Sequence, residues 1–157
     1  MAIRIAEDKD LERIKKLLLQ VNNVHAQGRS DIFIKDRMKY TDKEILEQLH
    51  DSTKIVFVYT DDYDTVIGYA FCQIKEYKNI NNIYPHKSLY IDDLCVDEEH
   101  RRQNIGKSLL KHVEDYAKNN NYYSLELNVW ECNPSAKAFY ERMGMKVLKI
   151  GMEKIIR

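Results

Sequence analysis

Tyr90-Ile91-Asp92-Asp93-Leu94-Cys95-Val96-Asp97-Glu98-Glu99-His100-Arg101-Arg102-Gln103-Asn104-Ile105-Gly106-Lys107-Ser108-Leu109-Leu110-Lys111 is the stretch that decides how this chain folds. Its first part, with Ser88 and Leu89 before it, has the residue types of a strand over 88–96. Leu109, Leu110, Val113 and Tyr116 or Ala117 then recur at helical spacing, which predicts a helix over 105–118. The polar run between them links a strand to a helix N-terminus. Such a junction suits an anion, because the first N–H groups of a helix lack internal acceptors and carry the positive end of its dipole. Arg101, Arg102 and Lys107 add charge that meets phosphate oxygens, and Gly106 lets a ligand approach the backbone closely. The same residues also fit an ordinary connecting loop with a solvated basic run. Gly106-Lys107-Ser108 does not complete a nucleotide P-loop, because the position that needs the earlier glycine holds Arg101.

Working outward, Ala2–Ala6 reads as a short strand, with Asp8 as the N-cap of a helix to about Val24 that buries Leu11, Ile14, Leu18 and Val21. Residues 27–36 are turn-like. Thr41 and Glu44 form a capping box that opens a second helix with Ile45 and Leu49 on one face. Strands are expected at Lys54–Thr60 and Thr65–Tyr77, joined by the polar turn 61–64 as a hairpin, with 78–86 as a loop. A further strand covers 122–129. Asn133-Pro134 starts a last helix, which stops at Gly144. Residues 145–156 read as a last strand or a bent strand pair. The strand–helix–strand order around 96–122 needs a crossover, so the sheet is mixed.

Composition narrows the function. With 157 residues and 44% hydrophobic content, residues 1–157 suit one globular domain with its own core. Lys+Arg 25 against Asp+Glu 25 gives no net charge, which argues against a general nucleic-acid or membrane binder. Cys72, Cys95 and Cys132 are odd in number and widely spaced, so neither a disulfide framework nor a metal site is indicated. With no apolar leader or spanning segment in view, a soluble cytoplasmic protein is expected.

Arg101-Arg102-Gln103-Asn104-Ile105-Gly106-Lys107 resembles the pyrophosphate-binding motif of the GCN5-related N-acetyltransferase (GNAT) superfamily, written [Q/R]-x-x-G-x-[G/A]. Arg101, Asn104 and Gly106 fall on its fixed positions. Residues 91–97 resemble the family's fourth strand. Leu125–Val129, Asn133-Pro134, Ala138-Phe139-Tyr140 and Met143-Gly144-Met145 resemble its fifth strand and last helix. The resemblance covers nearly the whole chain and implies an α/β (α+β) fold, a mixed central sheet with helices on both faces. One departure is Asn104, which stands where the family pattern has its first glycine; asparagine is the next-best residue for a left-handed turn.

The resemblance also implies an activity, transfer of an acetyl group from acetyl-CoA to a primary amine by direct attack within a ternary complex, without a metal. Backbone groups of Leu94, Cys95 and Val96 are then expected to bind the pantetheine arm in a gap between strands 88–96 and 122–129. The N–H groups of Arg102, Gln103, Asn104, Ile105, Gly106, Lys107 and Ser108 hold the pyrophosphate, with Arg101 beside them, and Asn133 contacts the arm while capping its helix. Tyr140 matches the family's proton donor to the CoA thiolate; a packed aromatic is the plain alternative.

Asp92 and Asp93 are candidates for the base. As neighbours on a strand they are expected on opposite faces. They could instead bind a cationic acceptor or serve as structural partners. His25, Phe33 and Tyr84 are candidate acceptor-site residues. The acceptor is expected to be a small amine such as a polyamine, aminoglycoside or amino-acid-like metabolite. Acetylation of a protein N-terminus or lysine, and a non-catalytic acyl-CoA sensor, are the competing expectations. A homodimer joined through the C-terminal strand is compatible with the sequence.

Overall fold

The computed structural model describes residues 1–157. Five strands, β1 (Ala2–Ile5), β2 (Lys54–Thr60), β3 (Val66–Tyr77), β4 (His86–Val96) and β5 (Ser124–Leu127), form one sheet in the order β1-β2-β3-β4-β5. β1 to β4 are antiparallel, and β5 joins β4 in parallel. The expected mixed sheet is therefore present, with helices on both faces.

Helices α1 (Leu11–Gly28) and α2 (Asp42–His50) cover one face. Ile14, Leu17, Leu18 and Ile45 pack there on Val56, Val58, Val66, Tyr69, Phe71 and Cys95. Helix α3 (Ile105–Asn119) covers the other face, where Ile105, Leu109, Leu110 and Val113 meet Phe57, Ile67, Ala70, Leu89 and Ile91. Phe139, Tyr140 and Met143 of α4 (Pro134–Arg142) and its C-cap join that second layer. β3 alternates between the layers, Tyr69 and Phe71 to one side and Ala70 and Cys72 to the other, so it is buried on both. No helix is long and apolar enough to cross a membrane.

Local signals behave as their chemistry dictates, with three corrections. Thr41 and Glu44 do form the capping box of α2, and Asn133 accepts from Ala136 N–H ahead of Pro134. Gly144 ends α4 at φ +91°. Asp8, however, is not the cap of α1. A short 3₁₀ turn, Asp8–Asp10, intervenes. Asp10 is held there by Arg4 at 2.8 Å and by Glu7 N–H at 2.8 Å, while Asp8 pairs with His50 at 2.7 Å. The strand expected over 122–129 is a regular strand only across Ser124–Leu127, with Tyr123 N–H also donating to the Lys87 carbonyl at 2.8 Å; beyond Leu127 the pairing with β4 ends. Residues 145–156 form no strand. The apolar alternation is there, but a strand also needs a neighbour to take its N–H and C=O groups, and this chain offers none.

Candidate active site

The site is built where β4 loses a partner. β4 and β5 pair from Ser88/Ser124 to Ile91/Leu127 and no further, so Asp93–Val96 are paired on the β3 side only. At the same point β4 carries an extra residue. Phe71 lies opposite Asp93 and Cys72 opposite Ile91, which leaves Asp92 as a bulge.

The bulge corrects the expectation for the two aspartates. In a regular strand they would face opposite ways; here both reach tyrosines of the α1/α2 layer. Tyr69 Oη donates to Asp93 at 2.8 Å. Tyr40 Oη donates to Asp92, which also takes Lys39 Nζ at 3.0 and 3.1 Å. Tyr40 in turn stacks on Phe71 with ring centroids 6.1 Å apart. Asp93 keeps slight water contact, yet protein atoms crowd its carboxyl. That burial pushes its pKa up to about 6, against the Tyr69 hydrogen bond and the nearby Lys39 charge, which favour the anion.

Tyr140 of α4 packs in the α3 layer of the sheet, against Phe139. Burial pushes its pKa well above the ordinary tyrosine value, and the charges of Asp93 and Cys95 push it further. It is a protonated donor throughout the physiological range. The two thiols do not compete as nucleophiles. Burial raises Cys72 to about 12, and it raises Cys95 further, whose Sγ–H reaches the Leu17 carbonyl at 3.6 Å.

Below the gap lies the loop expected to hold the pyrophosphate. Asp97 anchors its start: it is buried, with Arg13 at 2.8 Å and Gln20 at 3.2 Å. Arg102 and Asn104 then adopt left-handed φ values of 64° and 61°. The asparagine thus does what the missing glycine would do, and it is the residue before α3. From Arg101 through Lys107 no backbone N–H donates to any group of the protein. Ser108 N–H differs, since it closes the first turn of α3 on the Asn104 carbonyl at 2.9 Å. The free donor set therefore ends at Lys107, one residue earlier than expected. Arg101 to Asn104 and Lys107 are exposed, and Ile105 is buried beneath them. A left-handed turn with consecutive free N–H groups and three cationic side chains fits a pyrophosphate. Leu94, Cys95 and Val96 supply the partnerless strand edge above it.

The remaining candidates divide. His25 and Phe33 come together, with ring centroids 5.0 Å apart, and Phe33 meets Trp130 edge-on at 5.1 Å. Burial and the nearby Lys39 charge lower the His25 pKa. This cluster ties the end of α1 to the loop after β5, where Gly28 is pressed so closely on Cys132 that a Cβ would lie 2.6 Å from its sulfur. Asn133 uses its Oδ1 for capping, at 3.3 Å from Ala136 N. Tyr84 stands apart. It is 92% exposed on the β3–β4 loop, with no ring contact to this cluster.

Lys39, Tyr40 and Tyr69 were not singled out from sequence. Tyr40 did carry a signal: it precedes the Thr41 cap, the staple position that packs against Ile45 in the first turns of α2. Lys39 and Tyr69 become visible only once the bulge is known.

Known proteins agree with this geometry. The model of the Acetyltransferase (GNAT) family matches residues 27–145. N-acetyltransferase 8 of Homo sapiens is 40% identical over 60 residues, a stretch that is 38% of this chain and 26% of that protein. Glucosamine 6-phosphate N-acetyltransferase of Arabidopsis thaliana is 32% identical over 68 residues, 43% of this chain and 44% of that protein. The chain thus matches less than half the length of either. Among solved structures, a mutant of the BH1408 protein of Bacillus halodurans superposes with a TM-score of 0.95 at 29% identity over 100% of both chains. A possible acetyltransferase of Clostridium difficile gives 0.75 at 25% identity, covering 99% of this chain and 97% of its own. A family match over residues 27–145, which spans both the interrupted strand edge and the 97–107 loop, fixes the lineage: the chain belongs to the acetyltransferase (GNAT) family.

Proposed function

We propose that this chain transfers an acetyl group from acetyl-CoA to the primary amine of a small cationic molecule, in a ternary complex. The observation that carries the proposal is the β4 edge left open where the β4–β5 pairing ends, next to Asp93, a carboxylate with a pKa of about 6; Tyr140 of α4 is a protonated phenol that feels the Asp93 charge. Acetyl-CoA supplies the activated thioester. The free N–H groups of 101–107 and the cations around them hold its pyrophosphate, and the Asp92–Val96 edge takes the pantetheine amides.

The acceptor arrives as an ammonium. Asp92 already holds one primary ammonium, that of Lys39, which supports a primary amine as its ligand. Asp93, with a pKa close to the working pH, takes the proton directly or through one water. The neutral nitrogen then forms the C–N bond as the C–S bond breaks; Tyr140 donates to the departing sulfur, and the proton that the new amide nitrogen sheds passes through water and restores the phenol. A peptide acceptor would need a long open groove; the compact cluster of Asp92, Asp93, Lys39 and Tyr40 favours a small molecule.

The test is free-thiol release from acetyl-CoA against polyamines, aminoglycosides, amino acids and peptides. Turnover with one of the small amines is expected. Acetyl-CoA binding with no turnover on the whole panel would remove the enzymatic reading, and turnover confined to peptides would remove the small acceptor.

The loop gives a second expected result. Asn104→Gly keeps the left-handed turn and should bind CoA as tightly as wild type or better. Asn104→Val forces a β-branched residue to φ near 61° and should weaken CoA about tenfold or more, from a strain of about 1–3 kcal/mol. Calorimetric titration with CoA measures both. A large loss in the glycine variant would mean that the loop is not the pyrophosphate cradle.

A further inference from the structure

One primary ammonium already stands where the acceptor's nitrogen is expected. Lys39 Nζ lies 3.0 and 3.1 Å from the two carboxylate oxygens of Asp92, the residue just past the last β4–β5 pair. No other lysine pairs with a carboxylate of β4; Lys111, Lys118 and Lys137, for example, bind acids one turn away on their own helices. Both titratable neighbours feel the Lys39 charge. Burial raises the Asp93 pKa, and the Tyr69 hydrogen bond and Lys39 oppose the rise; burial lowers that of His25, and Lys39 lowers it further.

The backbone on either side of Lys39 is fixed. Tyr40 stacks on Phe71, with ring centroids 6.1 Å apart, and gives its hydroxyl to the same Asp92, while Thr41 caps α2. Upstream, Asp36 N–H donates to Asn23 Oδ1 at 2.8 Å and Asn22 Nδ2 donates to the Ile34 carbonyl at 2.7 Å, which ties the loop to α1. The Lys39 side chain itself is 47% exposed. An ion pair that open to water holds weakly, so the nitrogen leaves Asp92 without disturbing the core. A fixed backbone with a free tip presents one nitrogen repeatedly to the open β4 edge.

Resting on the acetyl-transfer chemistry given above, we propose that Lys39 is itself an acceptor: with acetyl-CoA bound and no free amine present, the enzyme acetylates its own Lys39 Nζ. The Lys39 ammonium gives one proton to Asp93, from which it passes to water. The neutral nitrogen forms a C–N bond to the acetyl carbon as the C–S bond breaks. Tyr140 donates to the sulfur, and the proton that the new amide nitrogen sheds restores the phenol through water. The products are Nε-acetyl-Lys39 and the free thiol of CoA. A tethered amine reacts from an effective concentration far above that of a free one. Its amide carries no charge, so a single event leaves Asp92 without its cation and open to an incoming amine.

Peptide-mapping mass spectrometry of the full chain, incubated with acetyl-CoA and no amine, tests this. Lys39 is expected to gain one acetyl group about tenfold or more faster than the exposed Lys16 and Lys35, because its reaction is intramolecular. Its first-order rate constant should not change with protein concentration. Tyr140→Phe should slow it about 10²–10³-fold and leave background acetylation of the other lysines as it was. Lys39 found already acetylated in purified wild type, and not in Tyr140→Phe, supports the proposal equally. Acetylation of Lys39 no faster than that of Lys16 overturns it, as does a rate constant that rises in proportion to protein concentration. An unmodified Lys39 in a protein that turns over a free amine overturns it too, and leaves the small-acceptor reading intact. Acetylated Lys39 with no turnover on the amine panel does the opposite, removing the small acceptor and keeping this proposal. No thiol release with any partner removes both.

Discussion

Tyr140→Phe is expected to lower kcat by about 10²–10³-fold, within the usual range for losing a positioned general acid, and to leave the KM for acetyl-CoA nearly unchanged. The hydroxyl is the only group removed, and it makes no hydrogen bond within the protein, so the fold has little reason to respond. A tyrosine with a raised pKa is, taken alone, a poor acid for a thiolate. The cause of the shift resolves this. After burial, the largest contribution is the charge on Asp93. When Asp93 takes the proton of the incoming ammonium, that charge disappears, and Tyr140 becomes the stronger acid as negative charge gathers on sulfur. Base and acid are thus coupled through one carboxylate. The variant should keep the acidic limb of the pH–rate profile while losing rate at every pH. Full kcat in Tyr140→Phe with normal binding would assign the step to another group.

Much of the fold was legible because its signals are local. The spacing of Leu109, Leu110 and Val113, the Thr41 box and the Asn133-Pro134 start each depend on a few neighbouring residues, and each element stands close to where they place it. The end of the β4–β5 pairing and the bulge at Asp92 are different in kind. A bulge is a property of two strands in register, so no reading of 88–96 by itself could turn both aspartates toward Tyr40 and Tyr69. Ser108 fell outside the anion donor set for a related reason: which residue begins the helix, and so which N–H is first to be satisfied, depends on the left-handed turn at Asn104. Residues 145–156 show the converse case: their alternation is a sound strand signal read locally, yet they form no strand, because pairing depends on a neighbour that local sequence does not specify.

Asp93→Asn is expected to make the protein more stable and nearly inactive. The folded state holds a proton on Asp93 up to about pH 6, while the unfolded chain gives it up near the ordinary value of 3.8. Between these values folding takes up a proton, so stability falls as pH rises through the window. Above about pH 6 the full cost of the buried charge is present; below about pH 4 it is gone. Asparagine removes the charge, keeps the shape and still offers an oxygen to the Tyr69 hydroxyl, which lies 2.8 Å from the carboxylate. A shift of roughly two units corresponds to a gain on the order of 2–3 kcal/mol at pH 8, or several degrees in Tm. The gain should shrink toward zero near pH 4. Thiol release should fall about 10²–10⁴-fold, the price of losing the base. Thermal unfolding of both proteins at pH 4, 6 and 8 separates charge from packing. A gain that is the same at all three values would trace to packing. A lower Tm at pH 8 would mean that Lys39 and Tyr69 more than offset the burial of the carboxylate. Stability and rate that move in opposite directions, and only above the pKa of Asp93, are what a carboxylate kept under strain for proton transfer predicts.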